Sequence, residues 1–304
     1  MTASLAGLVK PADFDAYWQA IDDELARFPI AAEAKRAPQH DTDFCTGYDV
    51  ELTSIGPYRI FGFLSIPNGS GPFPALLTMP RYGSVNGPAH WNDRERYICL
   101  TVCHRGQRLA DKPFAAAYPG LLTLGIDDPA TYIYRGIVAD CIRGLEYLLS
   151  LDVVDRSRVA IVGDDLGVLT AARRPGSVSA IHLTSVMFHR AMDARNRTDI
   201  YPIEEINDEI RLSPAREGAI GRTLSYFDPQ FHAPEVAANV LVAAGDNNVV
   251  NGPEWLAGLI GAFGGETTVY QLTHEGQRDH DAMEAWLAGA QGVESRPRIW
   301  EIER

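Results

Sequence analysis

The sequence predicts an α/β protein: a doubly wound, mostly parallel sheet preceded by an N-terminal helix and an antiparallel hairpin. Three observations predict it. Short apolar runs recur from residue 74 onward, helical patterns separate them, and a hairpin signal stands ahead of both.

Residues 11–28 read as an amphipathic helix, with Phe14, Tyr17, Trp18, Ile21 and Leu25 at helical spacing; these aromatics are expected in the core or at an interface. Tyr48–Ile55 and Tyr58–Pro67 read as two strands joined by a Gly-Pro turn. Pro74–Pro80 and Tyr97–His104 are short apolar strands of the buried parallel kind. The irregular stretch 105–130 is too long for a routine connection and suggests a functional or interface insertion. A helix follows over 131–150, then the strand Arg158–Gly163, a helix from about Gly167, and the strand Val178–Val186. The polar stretch 187–222, with its IEEINDEI run, reads as a helical excursion. Alternation resumes with strand Asn239–Asp246, a helix near 253–263, strand Glu266–Thr273 and a helix near 279–289. The expectation is one domain over 1–304, with insertions at about 105–130 and 187–222.

Composition sets the class. Hydrophobic residues are 46% and charged residues 22%, as in an ordinary globular protein. A formal net charge of −13 disfavours nucleic acid and anionic membranes as partners. The N-terminus lacks the basic start and apolar stretch of a signal peptide, and no run is long and apolar enough to span a bilayer. Cys45, Cys99, Cys103 and Cys141 show no metal-type spacing and read as reduced, cytoplasmic thiols. No metal cluster and no dinucleotide fingerprint appears, so no cofactor is expected.

The informative stretch is Arg158–Gly167, an apolar strand running into Gly163-Asp-Asp-Leu-Gly167 and then a helix. This is the pattern of a nucleophile elbow, in which a sharp turn lifts one side chain above the sheet. The tip is usually serine; here it is Asp165. His274 follows the last strand, and the acid-rich turn Gly245-Asp-Asn-Asn248 follows the strand before it. Nucleophile, acid, histidine is the chain order of an α/β-hydrolase fold.

With these residues in view, the chain resembles the acetyl xylan esterase and cephalosporin C deacetylase family of α/β hydrolases, from about Phe14 to about Trp286. The resemblance rests on Arg105-Gly106-Gln107, the Gly163–Gly167 elbow, His274-Glu275, GIDDPATYIYRG at 125–136 and TLSYFD at 223–228. It implies a homo-oligomer, with an interface around 105–130, acting on a small molecule. It further implies Tyr82 and the backbone N–H of Leu166 as oxyanion donors. The chain departs from the family at two positions. Asp165 replaces serine, and the family's acid falls on Asn248, with Asp246 the nearest aspartate. Arg81, beside Tyr82, is unusual there.

Three chemistries remain open. Asp165 could attack carbon directly, with His274 activating water and Asp246 or Asn248 orienting the ring. The substrate would then be an ester, lactone, epoxide or halide. Asp165 and His274 could instead act as an acid–base pair in a lyase or hydratase. The fold could also persist as a silent subunit. Asp164 reads as a solvated or paired acid, and Arg81 as pairing with Asp164 or Asp165 or as binding an anionic substrate group. Arg105 reads as a structural anchor, and His280 and Asp281 as surface groups.

Overall fold

The computed structural model describes residues 8–245 and 249–296. Nine strands form one sheet: β1 (Glu33–Arg36), β2 (Cys45–Thr53), β3 (Arg59–Pro67), β4 (Phe73–Thr78), β5 (Ile98–Cys103), β6 (Val154–Gly163), β7 (Ala180–Leu183), β8 (Asn239–Ala244) and β9 (Thr267–Gln271). Their order is β1-β2-β3-β5-β4-β6-β7-β8-β9. The pairs from β1 to β5 through β3 are antiparallel, and β5 through β9 are parallel. The expected α/β architecture is therefore present, with the hairpin as β2 and β3.

The strands follow their side chains. β5 is buried at every residue and β4 at its four central ones, as the apolar runs require of strands covered on both faces. β1 (EAKR) is exposed throughout; its charges protect an open sheet edge, and its lack of apolar residues hides it from a hydrophobicity reading.

The helices are α1 (Phe14–Arg27), α2 (Trp91–Arg94), α3 (Ile133–Ser150), α4 (Asp165–Ala172), α5 (Ala191–Ala194), α6 (Glu204–Leu212), α7 (Glu217–Ser225), α8 (Pro229–His232), α9 (Pro253–Ile260) and α10 (Gly276–Ala290). α1 buries Phe14, Trp18, Ile21 and Leu25, and the Trp18 indole donates to the Tyr226 carbonyl. α5, α6 and α7 form the expected excursion. α4 is buried at every residue. It leaves β6 so closely that a Cβ on Gly163 would stand 2.4 Å from Met79 Cβ, and one on Gly167 2.8 Å from Ile161 Cγ2. Close approach, not an unusual φ, demands these two glycines. No helix among the described residues is long and apolar enough to cross a membrane. All four cysteines are buried free thiols.

The stretch 105–130 forms no helix or strand but is strongly anchored. Buried Asp140 of α3 accepts from the Arg105 backbone N–H at 2.9 Å and from its guanidinium Nε and Nη2 at 2.9 and 2.8 Å. Gln107 is fully buried; its amide donates to the carbonyls of Arg81 and Gly83 at 2.9 and 2.7 Å, and its oxygen accepts from Asn86 and the His104 N–H. Arg105 is thus an anchor, and Gln107 fixes the loop after β4.

Candidate active site

A cavity of about 650 Å³ opens at the carboxyl ends of β4, β6 and β7. Its size suits a small molecule, and its position is where α/β sheets bind ligands. Arg81, Tyr82, Asp164, Thr184, Ser185, Tyr201 and Asn251 supply its polar lining, and Arg81 and Asp164 are the charged residues among those described.

Asp165 is not part of that lining. It is fully enclosed, and its Oδ2 accepts from the backbone N–H groups of Met187 at 2.9 Å and Phe188 at 2.6 Å. Its Oδ1 is sealed without a partner among the described residues. Burial, reinforced by the neighbouring Asp164 charge, pushes its carboxyl well above the ordinary range, against the pull of the two N–H groups. The positive-φ residues other than glycine are Ala31, Leu109, Arg190 and His274, so Asp165 does not hold the strained conformation that lifts a nucleophile from the elbow. It begins α4 as an ordinary helical residue. Asp228, in the SYFD run, supports the loop that captures it: it accepts from the Arg190 N–H at 2.7 Å and faces the buried His189 ring at 3.4 Å.

The expected Asp165–His274 pair is not assembled. His274 is exposed, with φ +64, on the loop between β9 and α10. Its N–H donates to Asp279 at 3.0 Å, and Thr273 donates to the same carboxylate through backbone and hydroxyl. No hydrogen bond or ion pair joins His274 to Asp165 among the described residues, and His274 does not line the cavity. Asp246 and Asn248, the candidates for orienting the ring, lie outside the described residues.

The two groups expected as oxyanion donors are also engaged. Asp164 caps α4, its Oδ1 accepting from the Leu166 N–H at 3.0 Å. That carboxylate occupies the N–H expected as an oxyanion donor. The Tyr82 hydroxyl donates to buried Glu205 of α6, whose other oxygen accepts from the Gly120 N–H at 2.8 Å. Glu205 thereby ties the loop after β4 to the insertion and the excursion. Arg81 makes no ion pair with either aspartate, because Asp165 faces inward and Asp164 faces its own helix.

Asp164 is the acid that reaches the cavity. Burial raises its carboxyl to about 6, opposed by the Leu166 N–H. A second cavity of about 570 Å³ shares Thr78, Met79, Arg81, Val162 and Thr184 with the first. His90, His182 and His280 line it, so His280 is not the surface group expected of it. Sequence reasoning missed Glu205, Thr184, Ser185, Tyr201 and Asn251 as site residues. Thr184 and Ser185 directly follow the apolar strand β7, a signal that was present; nothing local marks Glu205 within a polar helix.

A β-sheet of this order, with a helix leaving a Gly-flanked turn beneath a cavity, is the α/β-hydrolase fold. The chain belongs to the acetyl xylan esterase (AXE1) family, which it matches over residues 6–287. Acetyl esterase Axe7A of Xylanibacter ruminicola is 26% identical over 259 residues, covering 80% of this chain and 58% of that protein. This chain therefore spans little more than half the length of that curated relative. Among solved structures, the acetyl xylan esterase from Paenibacillus sp. R4 superposes with a TM-score of 0.80 at 24% identity, covering 96% of this chain and 97% of that one. Acetyl xylan esterase 1 from Thermoanaerobacterium sp. JW/SL YS485 gives 0.77 at 21% identity, covering 91% and 94%.

Proposed function

We propose that the protein is a hydrolase of small, polar esters or lactones whose base is Asp164, not an Asp165–His274 pair. The observation that carries this reading is the Asp164 carboxyl in the cavity lining; burial, which pushes it up to about 6, suits it to act as a base near neutral pH. Family membership supports ester hydrolysis as the reaction. Asp164 takes a proton from water as the water oxygen bonds to the ester carbonyl carbon. The bond to the alcohol oxygen then breaks, and the proton passes to that oxygen, releasing acid and alcohol. The hydroxyls of Thr184 and Ser185 and the amide of Asn251 suit a hydroxylated substrate such as an acetylated sugar. An epoxide or halide opened by Asp165 would need that carboxylate to reach the cavity, and Asp165 is fully enclosed.

A second reading, a binding subunit without turnover, is favoured by the capped Leu166 N–H and the sealed Asp165. Hydrolysis of triacetin, activated acetyl esters and lactones separates the two. Under the first, Asp164→Asn lowers kcat about 10²–10⁴-fold, kcat rises with pH through about 6 as the base loses its proton, and His274→Ala changes little. Loss on His274→Ala with Asp164→Asn active would restore the histidine to the chemistry. No turnover by wild type would favour the binding subunit.

A further inference from the structure

We infer that Arg81 makes this site selective for substrates that carry an oxyanion, a carboxylate or a phosphate, beside the bond to be cleaved. Arg81 lines both cavities and stands where they join. It is the only Lys or Arg among the described residues that line either one. Arg81 is exposed and has no carboxylate partner within ion-pair distance among the described residues, although Asp164 lines the same cavity.

Its backbone is held firmly. The N–H donates to Asn86 at 3.4 Å, and the carbonyl accepts from fully buried Gln107 at 2.9 Å. A planar fork carried from a fixed point is suited to a two-oxygen anion. The adjoining cavity offers room for such a group without placing it against bare negative charge. Its two carboxylates, Asp93 and Glu284, are paired with Arg96 at 3.4 and 2.7 Å. In a chain of net charge −13, a cation left open between two cavities is a local exception to the surface around it.

The selectivity rests on the hydrolase reading only where turnover is concerned, so binding is measured directly. Calorimetry at constant ionic strength compares monomethyl succinate, methyl phosphate and neutral triacetin on wild type, Arg81→Met, Arg81→Lys and Arg156→Met. Arg156→Met removes the same charge from an exposed position that lines neither cavity. The expected result is at least about 10-fold tighter binding of one or both anions than of triacetin. Arg81→Met should erase that preference, Arg81→Lys keep part of it and Arg156→Met keep all of it; circular dichroism checks that each variant is folded. The anion that binds more tightly names the group. Equal affinity for triacetin and both anions, or a preference that survives Arg81→Met, overturns the inference. An Arg81-dependent preference without turnover sinks the hydrolase reading and leaves the anion site standing. Turnover of triacetin with no preference does the reverse.

Discussion

The Arg105–Gln107 anchor and the Gly163–Gly167 elbow are both among the family marks, yet they hold their polar side chains in different ways. At the anchor, guanidinium and buried carboxylate meet in a fork, and each Gln107 polar atom finds a partner. At the elbow, both glycines keep their close packing, but the side chain at the tip turns inward to the Met187 and Phe188 N–H groups. The scaffold that positions the site is intact, while the groups that would act within it are placed differently. A carboxylate explains the difference. One oxygen of the Asp165 carboxyl accepts from both backbone donors, and Asp164 satisfies a third at the helix start.

Breaking the anchor should have the largest effect. Arg105→Ala would leave Asp140 buried without its counter-charge, at a cost of about 3–5 kcal/mol. Arg105→Lys keeps the charge but loses the fork, and should fall between Ala and wild type. Urea denaturation monitored by tryptophan fluorescence measures both. A loss below about 1 kcal/mol for Arg105→Ala would mean that the anchor is a surface-like pair, and the contrast with the elbow would collapse.

The elbow yields a pH signature. A carboxyl whose folded pKa lies above its unfolded value keeps a proton that the unfolded chain releases, so stability falls as pH rises above the unfolded value. Asp165 is such a group, raised first by burial and then by the Asp164 charge. Above the usual carboxylate pKa of about 4, wild type should lose up to about 1.4 kcal/mol per pH unit relative to Asp165→Asn. Asp164 contributes a falling slope of its own to both proteins in the window up to about 6, so it drops out of their difference. Denaturation of both proteins across this range tests it, and parallel pH profiles would show that Asp165 is ionised in its enclosure.

How much of this could be read from the sequence depends on where each interaction closes. β4, β5 and β8 were legible because burial on both faces writes itself as an unbroken apolar run. The elbow glycines were legible because strand–helix contact is local. The fate of Asp165 was not, because its partners stand 22 and 23 residues away and are backbone groups, which no side-chain pattern reports. Glu205 was hidden in the same way, its partners Tyr82 and Gly120 lying in two other loops. His280 read as a surface residue because α10 is polar in pattern, yet one of its faces closes a cavity against β7.

His274 gives the smallest effect and the sharpest test of what the loop is for. A histidine at φ +64 carries the cost of left-handed backbone, which Asn bears more easily. Its side chain is exposed, and the bond to Asp279 comes from its backbone N–H, which any residue but proline supplies. His274→Asn should therefore stabilise the protein by about 0.5–1 kcal/mol, the order of a relieved single-residue strain. Ester turnover should be unchanged, because His274 lines neither cavity. Higher stability with full activity would mark this position as one where the family's histidine survives without its task. Higher stability with activity lost would mean that the imidazole reaches the cavity during turnover and that the strained backbone serves to present it.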